Sequence, residues 1–242
     1  LDGNGIPATF FQDVHVRRAF SYCFDYEAMI ADALNGEGIQ SQGPIIAGML
    51  GYREGEAPLY SYDPVKCEEE FKLAEGDVWE TGFYFQMAYN TGNDTRRLAS
   101  EILKAGIEAV NDKFSITVVG MPWPVLLNAR RAGKLPIYVG GWAEDFHDPH
   151  NWAQPFLHSQ GTYGRVINMK PDLAAEFDAL VEEGAALTDP EERRAVYETI
   201  QLRAQEEATS IWLYQPVGRA HFQRWIHDYY YNPAYPNTTY SY

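Results

Sequence analysis

The stretch that decides the fold runs from residue 82 to residue 121 and reads GFYFQMAYNTGNDTRRLASEILKAGIEAVNDKFSITVVGM. Its two ends, 82–89 and 114–121, are apolar runs rich in aromatic and β-branched residues, which is typical of strands. Between them, 93–110 has a helical repeat. The apolar positions predicted to face inward are Leu98, Ile102, Ala105 and Ala109. A strand, a helix and a second strand at this spacing predict parallel strands joined by a right-handed crossover. The chain is therefore predicted to be an α/β protein.

Outward from this unit, hydrophobic periodicity and capping residues predict further elements. Helices are expected within residues 13–36, 63–76, 125–133, 172–187 and 189–208, the second of these ending at Gly76. The expected N-caps are Asp13, Asp25, Asp63 and Asp189. Short strands are expected at 135–142 and 210–217, a Gly- and Pro-rich loop at 36–52, and an aromatic, Pro-broken loop at 228–242. The order of the strands in the sheet is not readable from the sequence.

The composition excludes some classes of function. The net charge is −15, with 34 acidic residues against 19 basic ones and no basic block. Nucleic acid is therefore not an expected partner, because a phosphate-binding surface needs clustered Lys and Arg. No apolar run of about 18 residues suggests membrane insertion by this segment. The sequence begins without an initiator Met or a signal peptide, so we expect a processed product or an excised piece. An aromatic content of 14% fits either a ligand cleft or an aromatic core.

Two cysteines, Cys23 and Cys67, lie far apart in the sequence and lack the spacing of a zinc site. Two interpretations stay open. They are small buried apolar residues, or they form one disulfide in an oxidising compartment.

The stretch GGWAEDFHDPHNW, residues 140–152, follows directly on the strand predicted at 135–142. Ligand sites of open α/β sheets lie beyond the carboxyl ends of strands, so a site is expected here. Asp145, His147, Asp148 and His150 are candidate metal ligands. However, Pro149 keeps the two histidines off one helical face.

Two other functional interpretations use the acids of this stretch. Asp145 and Asp148, with Glu144 as a further acid, are a candidate catalytic pair, since glycosidase-type chemistry needs only two carboxylates. No nucleophile or phosphate-loop motif accompanies them. Alternatively, a buried Asp145 beside Trp142 is a binding socket for an ammonium group, which a charge-assisted hydrogen bond and a cation–π contact would hold. A structural role also stays open, in which Asp145 caps a helix over a tryptophan core.

Four ordered blocks resemble the extracytoplasmic solute-binding proteins of peptide-type ABC importers, the oligopeptide and dipeptide family (family 5). The blocks are FFQDVHVRRAFSYCFDYEAMI at 10–30, YSYDPVKCEEEFKLAEG at 60–76, GWAEDFHDPHNW at 141–152 and DPEERRAVYETIQLRAQEEATSIWLY at 189–214. The third is similar to the GW-x-x-D-x-x-DP signature of that family. Together the blocks span nearly the whole chain.

This resemblance implies a periplasmic-binding-protein type II-like lobe, with a mixed sheet flanked by helices, that is one lobe of a two-lobed hinge protein. It divides the chain into an incoming crossover segment at 1–13, the second lobe (domain III) at 14–209 and a C-terminal return toward a missing first lobe at 210–242. The implied function is binding of a peptide, or of another solute such as a sugar, an opine or a metal chelate. Enzymatic activity and a cofactor are not implied. The implied setting is a monomer, periplasmic or extracellular and membrane-associated, that delivers its solute to permease subunits.

The resemblance also implies site residues. Asp145 stands where the family's Asp binds the ligand's α-ammonium group, and Trp142 stands where a Trp walls a side-chain pocket. Gly141 precedes them in the signature, and Trp123 and Arg130 stand at the spacings of two further lining residues, with Arg131 as the alternative arginine. Two features depart from the family pattern. Glu144 adds an acid that is expected to favour a cationic ligand or to point to solvent, and the cysteines replace frequent alanines, which favours unbonded buried thiols.

Overall fold

A computed structural model of the protein describes residues 5–218 and 221–228. The helices, in chain order, are α1 (Val14–Tyr22), α2 (Tyr26–Ala28), α3 (Pro64–Leu73), α4 (Val78–Thr81), α5 (Asp94–Val110), α6 (Trp123–Arg131), α7 (His150–Leu157), α8 (Pro171–Ala186) and α9 (Pro190–Glu206). The strands are β1 (Gly38–Gln40), β2 (Phe83–Asn90), β3 (Phe114–Met121), β4 (Ile137–Tyr138) and β5 (Tyr214–Pro216). Short 3-10 turns lie at Phe10–Gln12 and Gly164–Val166, and a π-helical turn at Met29–Ala33 follows α2. Most of the aromatic tail predicted as a loop, from residue 229 onward, lies outside the described residues.

The four predicted N-caps are confirmed. Asp13 accepts the backbone N–H of His15, and Asp25 accepts that of Ala28. The side chains of Asp63 and Asp189 each accept two backbone N–H groups at the starts of α3 and α9, where a proline at the first helical position leaves no donor to satisfy.

The central sheet has the strand order β3-β2-β4 and confirms the predicted strand–helix–strand unit. β2 and β3 are parallel and pair along their whole length, from Phe83 opposite Phe114 to Asn90 opposite Met121. β4 is parallel to β2 on its other side, and an antiparallel bridge between Gly5 and Tyr84 makes the sheet mixed. A second, two-stranded sheet joins β1 to β5 antiparallel, so the loop predicted at 36–52 contains a strand.

β4 is much shorter than the strand predicted at 135–142. Pro136, immediately before it, has no N–H to donate to a ladder. After it, the N–H of Val139 still donates to Ala88 at 3.0 Å, and then the two glycines 140 and 141 leave the sheet.

One face of the sheet forms the first hydrophobic cluster. The alternate residues Phe83, Phe85 and Met87 of β2 are buried on it. Phe83 stacks on Phe114 with ring centroids 4.4 Å apart. The rings of Phe10 and Phe20 pack against those of Phe83 and Phe85. A second cluster joins α7, α8 and α9 around the buried side chains of Leu157, Phe177, Val181, Tyr197 and Ile200. The predicted inward face of α8 is confirmed at Phe177, with Leu173 and Leu180 partly buried at its margin.

The predicted inward face of α5 is displaced by one position, although the predicted Ile102 is partly buried against the first hydrophobic cluster. The helix buries Ala99, Leu103, Gly106 and Ile107, whereas Ala105 and Ala109 are exposed. The reason is a close approach between Gly106 and the backbone of α1's C-cap. A Cβ atom at Gly106 would lie 1.9 Å from the carbonyl oxygen of Cys23, a distance that only glycine permits. That contact sets the rotation of the helix.

Cys23 and Cys67 are fully buried, as expected, and are joined in a disulfide across Cα atoms 5.4 Å apart. The preference for unbonded thiols is therefore wrong. The bond ties the end of α1 to α3, two helices that pack side by side and bring the two Cβ atoms into bonding range.

Candidate functional site

The carboxyl ends of the three parallel strands lie at one edge of the central sheet. β2 ends there at Asn90 and β3 at Met121, after which α6 begins with Trp123. β4 ends there at Tyr138, and the chain continues into 140–152. The stretch singled out in the sequence therefore lies where open α/β sheets place ligand sites.

Asn151, on the first turn of α7, holds the loop that carries Trp142 and Asp145. Its side chain is 6% exposed, and its Oδ1 accepts two hydrogen bonds. The indole Nε1 of Trp142 donates one at 3.0 Å, and the backbone N–H of Asp145 donates the other at 3.1 Å. One buried amide oxygen thus fixes the relative position of the Trp142 ring and the Asp145 backbone.

The Asp145 side chain is exposed, and its carboxylate makes no hydrogen bond or ion pair with any residue that the structure describes. The expectation of a buried carboxylate is wrong for this chain taken alone, because no described segment covers the loop. An exposed carboxylate on a braced backbone is free to bind a cationic group from outside the chain.

Glu144 is not exposed in this way, and the expectation that it points to solvent is wrong. Its side chain is 9% exposed and lies under the loop rather than toward solvent. One carboxylate oxygen accepts the indole N–H of Trp152 at 2.9 Å, and the other lies 2.9 Å from Nδ1 of His147. Glu144 is therefore occupied as a structural acceptor.

Asp148 is also occupied. Arg193 of α9 donates two hydrogen bonds to its carboxylate, at 2.8 and 2.9 Å, and the backbone N–H of His150 donates a third. Burial alone would raise the pKa of Asp148, but the hydrogen bonds from Arg193 and His150 together hold that pKa below its ordinary value. Asp148 is thus an ionised structural anchor, which removes it from the catalytic pair considered with Asp145.

The candidate metal ligands of the stretch do not converge. His147 contacts Glu144, whereas Asp148 contacts Arg193. Within residues 5–218 and 221–228, no group of three or more His, Cys, Asp or Glu side chains is arranged to hold a metal ion.

Tyr163, in the loop after α7, joins three of the predicted site residues. Its hydroxyl donates to the backbone carbonyl of Gly141 at 2.6 Å, and its ring meets that of Trp142 edge-on at 6.0 Å. The guanidinium of Arg130 lies 4.7 Å from the centre of the Tyr163 ring. Arg130 is 6% exposed, and its charge opposes the rise in the pKa of Tyr138 that burial causes.

The fifth predicted residue, Trp123, is 44% exposed and reaches the others through Arg96. The guanidinium of Arg96 lies 5.6 Å from the centre of the Trp123 ring. A Cβ atom at Gly141 would lie 3.1 Å from Nη2 of the same arginine. The structure therefore brings Trp142, Gly141 and Arg130 together around Tyr163, places Trp123 beside Arg96, and leaves Asp145 at the outer side of the loop.

Sequence reasoning missed Asn151, Tyr163 and Arg96. Asn151 lies inside the quoted stretch, and a buried amide in a turn-rich segment is a usual hydrogen-bond acceptor for a neighbouring backbone. Arg96 lies in the first turn of the helix after β2, close to a strand end, which is a usable signal. Tyr163 lies in a polar loop, and no sequence pattern distinguishes it.

Residues 4–164 match the sequence model described as "Bacterial extracellular solute-binding proteins, family 5 Middle". The chain is 29% identical over 226 residues to Heme-binding protein A of Haemophilus influenzae, covering 92% of this chain and 40% of that protein. It is 27% identical over 221 residues to the probable D,D-dipeptide-binding periplasmic protein DdpA of Escherichia coli, covering 90% of this chain and 41% of that protein. The chain thus spans about two fifths of the length of these curated relatives.

A solved structure has the same fold. It is the periplasmic binding protein DppA from Helicobacter pylori in complex with the peptide STSA, with a TM-score of 0.74 and 19% sequence identity. The match covers 86% of this chain and 39% of that one. In the part of the chain that the structure describes, no helix is both long and apolar enough to cross a membrane.

Proposed function

Because the chain belongs to the family 5 bacterial extracellular solute-binding proteins, we propose that it is part of the substrate-binding component of an ABC importer and that it binds peptides. Residues 14–209 would be the second lobe, 1–13 the segment that enters it and 210–242 the segment that returns to a first lobe. The relatives of greater length and the peptide named in the DppA complex support this proposal. The protein would be exported, periplasmic or extracellular at the membrane surface, monomeric, and a partner of permease subunits.

The observation that carries the proposal is the state of Asp145. Its carboxylate is exposed and unpaired among the described residues, and Asn151 holds its backbone at the edge where three parallel strands end. In this proposal the α-ammonium group of a peptide pairs with Asp145, and closure of a second lobe over the site excludes water from that pair. A charge-assisted hydrogen bond is strong under those conditions.

The aromatic residues of the edge would contact the rest of the ligand. Trp142 is held by Asn151 and presents an apolar wall beside Asp145. Trp123 is exposed at the start of α6, and Arg130 is buried behind Tyr163. Rigid rings give broad contact at a small entropy cost, which suits a site that accepts varied side chains.

Catalysis is not part of this proposal, and no cofactor is required. The carboxylate pair that a hydrolase would need is divided, because Asp148 is bound to Arg193 while Asp145 is free. The relatives named above are binding proteins. Another solute on the same fold is the second candidate, and the relative named Heme-binding protein A is the observation in its favour.

The test uses the natural full-length protein that contains this chain. A thermal-shift screen covers di- to hexapeptides, haem, sugars, opines and metal chelates, because a ligand at about 100-fold over its Kd raises stability by about 2.7 kcal/mol. Peptide hits are then titrated against Asp145→Asn, which we expect to weaken binding by about 2–4 kcal/mol, since the ammonium group loses its charged partner.

Asp112→Asn is the matched control. Asp112 is an exposed residue two positions before β3, at the opposite edge of the sheet. Peptide binding that survives Asp145→Asn within about threefold, or about 0.7 kcal/mol, would refute the ammonium role. Hits from sugars or chelates alone would refute the peptide assignment.

A further inference from the structure

Arg96 lies among the ends of all three strands of the central sheet. It is in the first turn of α5, and its Nη1 donates to the side-chain Oδ1 of Asn90, the last residue of β2, at 2.8 Å. Its guanidinium faces the ring of Trp123, just after β3. Its Nη2 lies within 3.1 Å of the place where a Cβ of Gly141, just after β4, would stand. No side chain at 141 separates this guanidinium from the candidate site.

The charge of Arg96 is not balanced by an acid. In a chain with 34 acidic and 19 basic residues, a guanidinium readily finds a carboxylate. The adjacent Arg97 does so, at 3.4 Å from Asp94, and Arg203 on α9 contacts Glu176. Arg96 is half-buried and forms no ion pair with any residue in the described ranges. A partly desolvated charge without a counter-ion is costly, so an anion from outside these residues is the group that fits it.

Arg130 gives independent support for an anionic group at this edge. It is 6% exposed, its Nε atom is buried, and that atom has no hydrogen-bond partner among the described residues. It stacks on Tyr163, whose hydroxyl binds the carbonyl of Gly141. Two guanidiniums that lack a carboxylate therefore approach the backbone of Gly141, one directly and one through Tyr163.

We propose that Arg96 is a second anchor of the binding site and that it binds a carboxylate group of the solute. This inference rests on the proposed function, and it narrows the solute class to molecules that carry a carboxylate in addition to the group that meets Asp145. Asn90 orients the guanidinium by holding Nη1, which leaves Nη2 for a planar, charge-assisted contact. Trp123 supports the face of the guanidinium by a cation–π contact.

The carboxylate has two possible sources, the peptide C-terminus or an acidic side chain, and the experiment separates them. The natural full-length protein and its Arg96→Gln variant are titrated calorimetrically with three peptides of equal length. The first has neutral side chains and a free C-terminus, the second is its C-terminal amide, and the third is an amide that carries one glutamate. We expect Arg96→Gln to weaken binding of at least one carboxylate-bearing peptide by about tenfold or more, and to leave the neutral amide within about threefold.

Arg97→Gln is the matched control, because Arg97 is the next residue of the same helix and is already paired with Asp94. It is expected to leave all three affinities unchanged. Arg96→Lys keeps the charge without the planar fork and is expected to give an intermediate loss. Unfolding midpoints of each variant show that the fold is intact. An equal loss for the neutral amide and the carboxylate-bearing peptides would overturn the proposal, as would no loss for any of them.

The two proposals fail in different ways. If the unsubstituted protein binds no peptide, the proposed function is wrong, and Arg96→Gln is then measured against the solute that the thermal-shift screen identifies. A loss of about tenfold for a carboxylate-bearing solute supports the role of Arg96. The role of Arg96 is overturned if the identified solute is neutral, or if no solute that binds in the screen carries a carboxylate.

Discussion

Trp142 and Asp145 share one acceptor, the Oδ1 of Asn151, at 3.0 and 3.1 Å. The indole of Trp142 and the backbone of Asp145 are therefore positioned by the same buried atom. Asn151 lies on α7, which packs in the second hydrophobic cluster. The loop that carries the candidate socket is in this way connected to the core of the protein rather than to neighbouring loops alone.

Asn151→Ala is expected to destabilise the protein by about 1–3 kcal/mol, because two donors lose their acceptor in a buried setting. Urea unfolding measures this change. Asn128→Ala is the control, since Asn128 is exposed on α6. Ligand affinity should fall in Asn151→Ala even under conditions where the protein is fully folded. A stable variant with unchanged affinity would show that Asn151 does not position the loop.

The disulfide is expected to contribute substantially to stability. Cys23 and Cys67 are 44 residues apart, and closing a loop of that length in the unfolded chain is worth about 4 kcal/mol in the chain-entropy account. The double substitution Cys23→Ala and Cys67→Ala should lower the free energy of unfolding by about that amount, and reduction of the unsubstituted protein should have a similar effect. Both are measured by urea unfolding with and without a thiol reductant.

Single Cys23→Ala serves as a control for packing, because alanine fills most of the space of a buried cysteine. The single variant should lose about as much free energy of unfolding as the double variant, and the second substitution should cause no further loss. A double variant within about 1 kcal/mol of the original would contradict a stabilising bond.

The ion pair of Asp148 and Arg193 predicts a dependence of stability on acid. The folded-state pKa of Asp148 is below its ordinary value of 3.8, so the unfolded chain takes up the proton first. The pair's contribution is therefore fully present above about pH 5 and is lost as the pH falls through 3.8 toward the folded-state pKa.

Asp148→Asn should lower stability at pH 7 by about 1–3 kcal/mol, because Arg193 loses a charged acceptor. It should also flatten the decrease in stability between about pH 5 and pH 2. Unfolding curves across this range test both effects, with the exposed Asp112→Asn as control. If Asp148→Asn and Asp112→Asn have the same acid profile as the unsubstituted protein, the pair does not stabilise the fold.

Local sequence determined most of the secondary structure. Asp13, Asp25, Asp63 and Asp189 cap the helices that they were predicted to cap, since an N-cap needs only its own side chain and the next two or three N–H groups. The parallel pairing of β2 and β3 was predictable because a helix of 17 residues separates them. Position beyond a strand end was enough to locate the stretch 140–152 as the candidate site.

The details that depend on distant contacts were not predictable in this way. The rotation of α5 follows from the approach of Gly106 to Cys23, and periodicity alone placed the apolar face one residue away. Formation of the disulfide depended on α1 packing beside α3, a proximity that is not encoded locally when the two cysteines are 44 positions apart.

For the site as well, some features follow from local sequence and others only from the tertiary structure. The resemblance to the family signature predicts Asp145 as the acid of the proposed socket, because the position of a residue within the signature is local. Charge and local position alone did not distinguish Asp145 from Glu144 and Asp148, which have the same charge and lie in the same turn-rich segment. Only the tertiary structure did so, by bringing Trp152 to Glu144 and Arg193 to Asp148 while leaving Asp145 without a described partner. The physical reason is that a carboxylate is free to bind a ligand only when no donor elsewhere in the fold reaches it. The donor to Asp148 comes from a helix far away in the chain, and the donor to Glu144 reaches it only because α7 folds back toward the loop.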